Sequence, residues 1–199
     1  MTYAVTRPVS ADAAYPYASA PQNSSDETLI ERIAQGDRLA MHTLYARHHM
    51  PVYRFVLRIV RDRTAAEDIL SEVFLDVWRQ AARFEGRSSL STWLLAIARF
   101  KALSVLRRRP DAELDEEVAA TIPDPADNPE LVLQKKHRGE LLRRGIAQLP
   151  SAQAEVIDLV YYHDKSIGET AQIVGVPEAT VKTRMFYARR KLAELVKAA

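Results

Sequence analysis

Between residues 26 and 109 the apolar side chains recur every three or four positions, the spacing that gathers them on one side of an α-helix. Ser25 or Asp26 can cap a first helix running to Gln35, and Gly36 ends it. A second helix is expected from about Arg38 to Val60, with Leu39, His42, Tyr45, Val52, Phe55, Val56 and Ile59 as its apolar stripe. Pro51 falls inside it and predicts a kink or short break, because proline lacks an N–H and its ring crowds the preceding turn. Thr64, with Glu67 three residues on, predicts the capping box of a third helix. The stripe of that helix is Ile69, Leu70, Val73, Phe74, Val77, Trp78 and Ala81, and its opposite face carries Asp68, Glu72, Asp76 and Arg79. The segment from Arg83 to Ser89 reads as a loop punctuated by Gly86, with a serine capping a fourth helix from about Leu90 to Arg109. Trp93, Leu94, Ile97 and Leu103 are expected to face inward there, and Pro110 stops the helix.

The period disappears from Asp111 to Asn128, where prolines at 123 and 125, and at 129 just beyond, break an acidic stretch that reads as a flexible connector. It returns from Pro129 to Leu149, with Leu131, Leu142 and Ile146 inward and Lys135, Lys136, Arg138, Arg143 and Arg144 outward. Ser151 is expected to cap the next helix, whose apolar residues are Val156, Ile157, Leu159 and Val160. From Ser166 to Leu192 the pattern is a helix-turn-helix. Ile167, Ala171 and Val174 share a face of a short helix, Gly175 supplies the turn, Pro177 starts a second helix, and Val181, Met185 and Leu192 line its buried side. No stretch alternates as a strand would. The fold expected is all-α, with two small helical domains: a tail at 1–25 without period, a helical bundle at 26–110, a flexible acidic linker at 111–129 and a helix-turn-helix unit at 130–199.

Charge sharpens this division. The chain has 199 residues and a formal net charge of +2. By segment it is −2 over 1–40, +7 over 41–110, −8 over 111–134 and +5 over 135–199. Two basic blocks around an acidic connector suggest a polyanion partner whose phosphates supply affinity. The exposed side of the last helix fits that partner, since it carries Glu178, Thr180, Lys182, Thr183, Arg184, Arg189 and Arg190, and its N-terminal part is what enters a major groove in this motif. The absence of cysteine excludes a disulfide scaffold or thiolate metal site within the chain and fits a cytoplasmic setting. The longest apolar run, Trp93 to Ala98, is far too short to span a bilayer, so no direct membrane insertion is expected.

Catalytic chemistry has little support. No glycine-rich phosphate loop, GxSxG or HExxH occurs, and no cofactor, catalytic residue or metal ligand set is expected. His42, His48 and His49 lie near one another without a carboxylate at a usual ligand offset. The acidic stripe of Asp68, Glu72 and Asp76 reads as solvated or partner-facing. The stretch from Phe84 to Lys101 is more telling. It interleaves Phe84, Trp93 and Phe100 with basic residues (Arg83, Arg87, Arg99, Lys101) beside an open Gly/Ser loop, which suits unstacked bases.

The segments AAEDILSEVFLDVWR (65–79), SSLSTWLLAIARFKALSVLRRR (88–109) and LPSAQAEVIDLVYYHDKSIGETAQIVGVPEATVKTRMFYARRKL (149–192) in this order resemble the sigma-70 family, specifically the extracytoplasmic-function (ECF) subfamily of bacterial sigma factors. The resemblance implies a non-enzymatic initiation factor that binds core RNA polymerase, directs it to promoters and assists opening. It makes 26–110 sigma region 2 and 130–199 sigma region 4. Asp68, Glu72, Leu75, Asp76 and Arg79 would dock on the polymerase clamp helices. Arg83, Phe84, Gly86, Arg87, Ser88, Ser89, Trp93, Arg99 and Lys101 would read the downstream (−10) element as melted DNA. Pro177, Glu178, Ala179, Thr180, Lys182, Thr183, Arg184, Tyr187, Arg189 and Arg190 would read the upstream (−35) element as duplex. An anti-sigma factor is implied as a further partner. Departures from the family pattern are Phe100 for a frequent Asn, Ser104 for Asp, Ala154 for Arg, Gly168 for Tyr and Ala179 for Gly.

Two other classes compete. A sigma-like decoy that binds an anti-sigma factor but not DNA would have no use for Lys182, Arg184, Arg189 and Arg190. A dimeric helix-turn-helix repressor would need an unused apolar helix face for its seam, and none is evident. With a flexible connector, a compact occluded pair of domains and an extended pair are both expected to be accessible.

Overall fold

Short polar side chains start most of the helices. In the computed structural model, residues 24–108 and 145–197 are described. The tail before residue 24, the acidic connector and most of the helix expected at 129–149 lie outside them. Ser25 accepts from the Thr28 N–H and opens α1, Asp26–Ala34. Asp37 accepts from the Leu39 and Ala40 N–H groups and opens α2, Arg38–Val60. The Arg32 guanidinium grips the same carboxylate from α1, at 2.9 and 2.6 Å. Arg61 ends α2 in the left-handed region, at φ 53. That sharp stop leaves Asp62, not Thr64, as the extended residue that caps α3, Arg63–Gln80, through the Ala65 N–H. A 3-10 turn, Ala81–Arg83, leads into the loop before α4, Leu90–Arg108.

Pro51 does not break α2, which runs as one helix of 23 residues. Pro51 itself is exposed, so the carbonyl left without a partner lies on the side open to water. The phase of the stripe also differs from expectation. Ala40, Leu44, Val52, Phe55, Val56, Leu57 and Val60 are buried, whereas His42 and Tyr45 are exposed and Leu39 is half-buried. The stripe of α3 is buried as its spacing predicts from Ile69 to Val77, with Trp78 half-buried. On α4 the buried positions are Leu90, Thr92, Leu94, Leu95, Ala98 and Ala102, and Trp93, Ile97 and Leu103 lie at the margin. α2, α3 and α4 pack on one another, with α1 against α2.

The second unit contains α5, Ser151–Tyr161, α6, Ile167–Val174, and α7, Glu178–Lys197. Ser151 is the first residue of α5 and not its cap. Pro150 holds the N-cap position and has no side-chain bond to give. Val156, Ile157, Leu159, Ile173, Val174, Val181, Met185 and Ala188 form the core between these helices. Ile146, the described end of the preceding helix, packs against it.

The two units are docked, with α6 against α4. Phe55 of α2 meets the His163 ring edge-on at 5.5 Å between centroids. Arg58 of α2 ion-pairs with the buried Asp158 of α5 and stacks 4.1 Å from the centre of the Tyr162 ring. His163, its side chain 5% exposed, lines a cavity of about 220 Å³ with His48, Ser91, Asp164 and Lys165. Burial, and then the cations Arg58, Lys165 and Arg54, push its imidazole from 6.5 down to about 4, against the pull of Asp164. Asp158 lies 3.5 Å from its Nε2. His48 is also held below its ordinary value by burial, although Asp26 opposes the shift.

A depressed histidine pKa makes the docked form the neutral one. Its contribution is complete above the ordinary value of 6.5 and drains away as pH falls toward 4. Because Arg54 and Arg58 belong to the first unit, separation relieves the shift. Docking should therefore weaken about tenfold, ~1.4 kcal/mol, from about pH 7.5 to about pH 5.5. Fluorescence transfer between dyes on the two units measures this, and His163→Gln should flatten the response.

Candidate nucleic-acid interface

The helix-turn-helix is built by two local devices. Ser166 caps α6 in a full capping box: its Oγ accepts from the Glu169 N–H, and Glu169 Oε2 accepts from the Ser166 N–H at 3.0 Å. Gly175 ends α6 at φ +72, its N–H bonded to the Ala171 carbonyl at 2.8 Å. An L side chain at that φ is strained. Pro177 then accepts, through its carbonyl, from the Thr180 and Val181 N–H groups as α7 begins.

Docking of α7 through Val181, Met185 and Ala188 fixes what it presents. Ala179, Lys182, Thr183, Phe186, Tyr187, Arg189 and Arg190 are exposed. Phe186, 61% exposed, sits among them, and the sequence reading did not single it out, although its helical spacing from Thr183 and Arg190 carries the signal. Pro177 and Glu178 are exposed at the helix start, and Lys182 lies 3.6 Å from Glu178. Arg189 lies over the Tyr161 ring and Arg190 over Tyr187, at 5.7 and 5.5 Å. Thr180 and Arg184 are half-buried on the flank. Arg184 lines a groove of about 450 Å³ between the two units, shared with Arg99, Glu155 and Asp158. It does not belong to the outermost face.

In the first unit the loop residues Arg83, Gly86, Arg87 and Ser89 are exposed, with Gly86 at φ +67 and Arg87 paired with Glu85. Phe84 packs against Trp93, 5.2 Å between centroids, so both rings are half-buried. Ser88 is half-buried. Ser89 caps α4: its Oγ accepts from the Thr92 N–H at 3.3 Å. The basic residues of this stretch do not form one free face. Arg99 makes a bidentate pair with Glu155 of α5, at 2.6 and 3.3 Å. Lys101 turns the other way, to Asp76 at 2.8 Å and Glu72 at 3.1 Å on α3. Two carboxylates overcome its burial and raise its pKa. Phe100 stands between them, 69% exposed.

The acidic face of α3 is present as spaced. Asp68, Glu72, Leu75 and Arg79 are exposed, with Leu75 at 46%, and Asp76 is half-buried. Among the described residues no three His, Asp or Glu side chains gather as a metal site, and no helix is long and apolar enough to cross a membrane. His48 bonds Asp26 at 2.8 Å, His49 stacks on Tyr45, and His42 is exposed.

Thr92, Glu155, Asp158, His163 and Lys165 were not singled out by the sequence, yet all lie between the units. Glu169 Oε1 accepts from Thr92 Oγ1 at 2.7 Å and Ser89 Oγ at 3.1 Å. Burial would raise the Glu169 carboxyl, but hydrogen bonds from Thr92, Ser166 and Ser89 outweigh it and hold it at about 2.

A bundle with an exposed acidic helix face, a Gly/Ser loop ahead of α4, and a helix-turn-helix with a basic outer face define a class: a two-unit helical protein of the helix-turn-helix kind. Family models described as Sigma-70 region 2 and Sigma-70, region 4 match residues 44–110 and 139–192. The ECF RNA polymerase sigma factor SigM of Mycobacterium tuberculosis is 31% identical over 175 residues, 86% of this chain and 85% of its own. The RNA polymerase sigma-H factor of Pseudomonas aeruginosa is 28% identical, over 84% of this chain and 91% of its own. Among solved structures, CnrH in complex with the cytosolic domain of CnrY matches at a TM-score of 0.63 and 22% identity, over 88% of this chain and 99% of that one. RpoE of Bartonella quintana, in complex with the anti-sigma factor NepR, matches at 0.63 and 23%, over 78% and 96%. The chain belongs to the sigma-70 family, in its ECF subfamily.

Replacing Gly175 with Ala should destabilise the second unit by about 1 kcal/mol through its left-handed φ. Ser166→Ala should remove a similar amount, about 1 kcal/mol, by opening the capping box. Urea unfolding followed by circular dichroism reads both, and a neutral Gly175→Ala would contradict the turn geometry.

Proposed function

We propose a division of labour within this sigma factor. As an ECF family member it binds core RNA polymerase, directs it to specific promoters and assists their opening. Geometry supports the finer assignments. The observation that carries them is the outer face of α7, where small residues (Ala179, Thr183) sit among Lys182, Arg189 and Arg190 on a helix locked by Val181, Met185 and Ala188. This arrangement suits a major groove, with Pro177, Glu178, Thr180 and Tyr187 completing the upstream reader and Arg184 on its edge.

The downstream reader is the loop from Arg83 to Ser89 with the start of α4. Its hydroxyls and backbone suit a phosphate chain, and Phe84 with Trp93 forms the wall of a seat for an extruded base. Arg99 reaches this surface when released from Glu155, and Lys101 supports it through α3. Asp68, Glu72, Leu75, Asp76 and Arg79 form the face for the polymerase clamp helices, an exposed leucine ringed by charge. The factor acts where polymerase and promoter DNA meet, in the cytoplasm, and takes no part in bond-making chemistry itself. The similarity to RpoE, solved with the anti-sigma factor NepR, supports an anti-sigma factor as a further partner.

Transcription reconstituted with sigma-free core polymerase on a library of genomic promoter fragments tests the whole reading. Specific starts sharing a two-element motif are expected. Reversing charge at Arg190 should weaken binding to the promoter duplex at least about tenfold while leaving polymerase affinity unchanged. Leu75→Asp should do the opposite, and equal loss of both activities in either variant would refute the division.

A further inference from the structure

Charged side chains tie the second unit to the first, and two of them end on groups assigned above to the downstream reader. The Glu155 carboxylate takes both forks of Arg99. The Glu169 carboxylate takes the hydroxyls of Ser89 and Thr92 at the start of α4. Arg58 pairs with Asp158. Lys165, 8% exposed, sits beside them and donates to Ser91 Oγ at 2.5 Å.

A carboxylate on a guanidinium, and a carboxylate on two hydroxyls at a helix N-terminus, are the contacts a phosphodiester would make with the same groups. We propose that the docked arrangement is self-occluding: Glu155 and Glu169 stand in for promoter phosphates on Arg99, Ser89 and Thr92, so that docking of the units and promoter binding exclude one another. This rests on the promoter reading above. Geometry supports exclusivity in two further ways. α6 lies against α4, so DNA cannot lie on that flank while the units are docked. Arg184 of α7 faces the groove between units beside Glu155 and Asp158, so docking also withdraws a cation from the upstream reader.

The device needs no further component. Its donors are on the first unit, its acceptors are on the second, and Glu169 is already ionised and placed by its bonds to Ser166. Parting the units frees Arg99, Ser89 and Thr92 together. The mimicry also predicts how the latch is weakened without unfolding. Glutamine can still serve the capping box at 169, yet it carries no charge for the start of α4, and glutamine at 155 carries none for Arg99.

The test exploits the absence of native cysteine. In the full chain carrying Ser91→Cys and Lys165→Cys, a short reducible thiol-to-thiol crosslinker should bridge the units, because the native side chains touch. Each preparation is its own control before and after reduction. Binding of a labelled random-sequence DNA strand to the protein with core polymerase, and transcription on promoter fragments, are both read. The bridged form should bind the strand at least about tenfold more weakly than the reduced form and initiate no transcription. In the chain without cysteines, the Glu155→Gln, Glu169→Gln double variant should bind the strand several-fold more tightly than the parent, with its fold checked by circular dichroism.

Failure to bridge would overturn docking in solution. Equal activity of bridged and reduced protein would overturn the occlusion, as would a folded double variant that binds no better than the parent. A reduced protein that directs no transcription would instead overturn the promoter reading, and this proposal with it.

Discussion

Two helix N-termini meet at one carboxylate. Oε2 of Glu169 serves the start of α6, through the N–H and hydroxyl of Ser166. Oε1 serves the start of α4, through Thr92 and Ser89. Each N-terminus carries partial positive charge and unpaired N–H groups, so bringing two together without an anion would be unfavourable. A single acidic side chain removes the conflict. The position of α6 against α4, and with it the position of the whole second unit, therefore depends on a residue whose first task is to start its own helix.

The remaining contacts between the units follow the same economy of charge. Arg58 and Arg99 of the basic first unit meet Asp158 and Glu155 of the second, while Lys165 crosses in the other direction to Ser91. Inside a larger apolar interface these pairs would fix one geometry permanently. Here the ring contacts between units are Phe55 on His163 and Arg58 over Tyr162, and the groove alongside stays open. Asp158 is buried and Glu155 largely so, and the cost of desolvating such carboxylates offsets much of the attraction in each pair. The docked state is specific in register without being strongly held.

Much of the architecture was legible because helix starts and stops depend on local chemistry. Gly36 and Gly175 were identified as terminators, and both adopt positive φ. The stripe of α3 could be read because it is unambiguous. That of α2 could not, because its apolar residues are too many to fix a phase: Tyr45 and His42 fit the period, but Ala40 and Leu44 fill the space against neighbouring helices. Caps were misplaced where the preceding element, not the helix itself, decides. Thr64 makes a plausible box with Glu67, but the left-handed Arg61 brings Asp62 into position first. Exposed chemistry was the least legible. Arg99 and Lys101 both read as free cations, and each is held by a carboxylate far off in sequence, Glu155 in one case and Glu72 with Asp76 in the other. Pattern within a helix gives its face, but not which distant acid lies opposite.

A weakly held docked state has a consequence for partners. An equilibrium shifts only by a partner's differential affinity for its two states. If docking amounts to a few kcal/mol, a ratio of 99:1 in its favour is reversed by a partner that prefers the parted form by about 5.5 kcal/mol. A polymerase contact on the face proposed above, Asp68, Glu72, Leu75, Asp76 and Arg79 of α3, uses the first unit alone, so on that reading it is indifferent to docking. Only a partner that also engages the second unit at a distance, or DNA that competes for Arg99 and the start of α4, discriminates between the two forms. The factor is thus poised for partners that hold both units apart or that compete for the docking contacts themselves, and a partner that touches one unit away from those contacts leaves the balance where it stands.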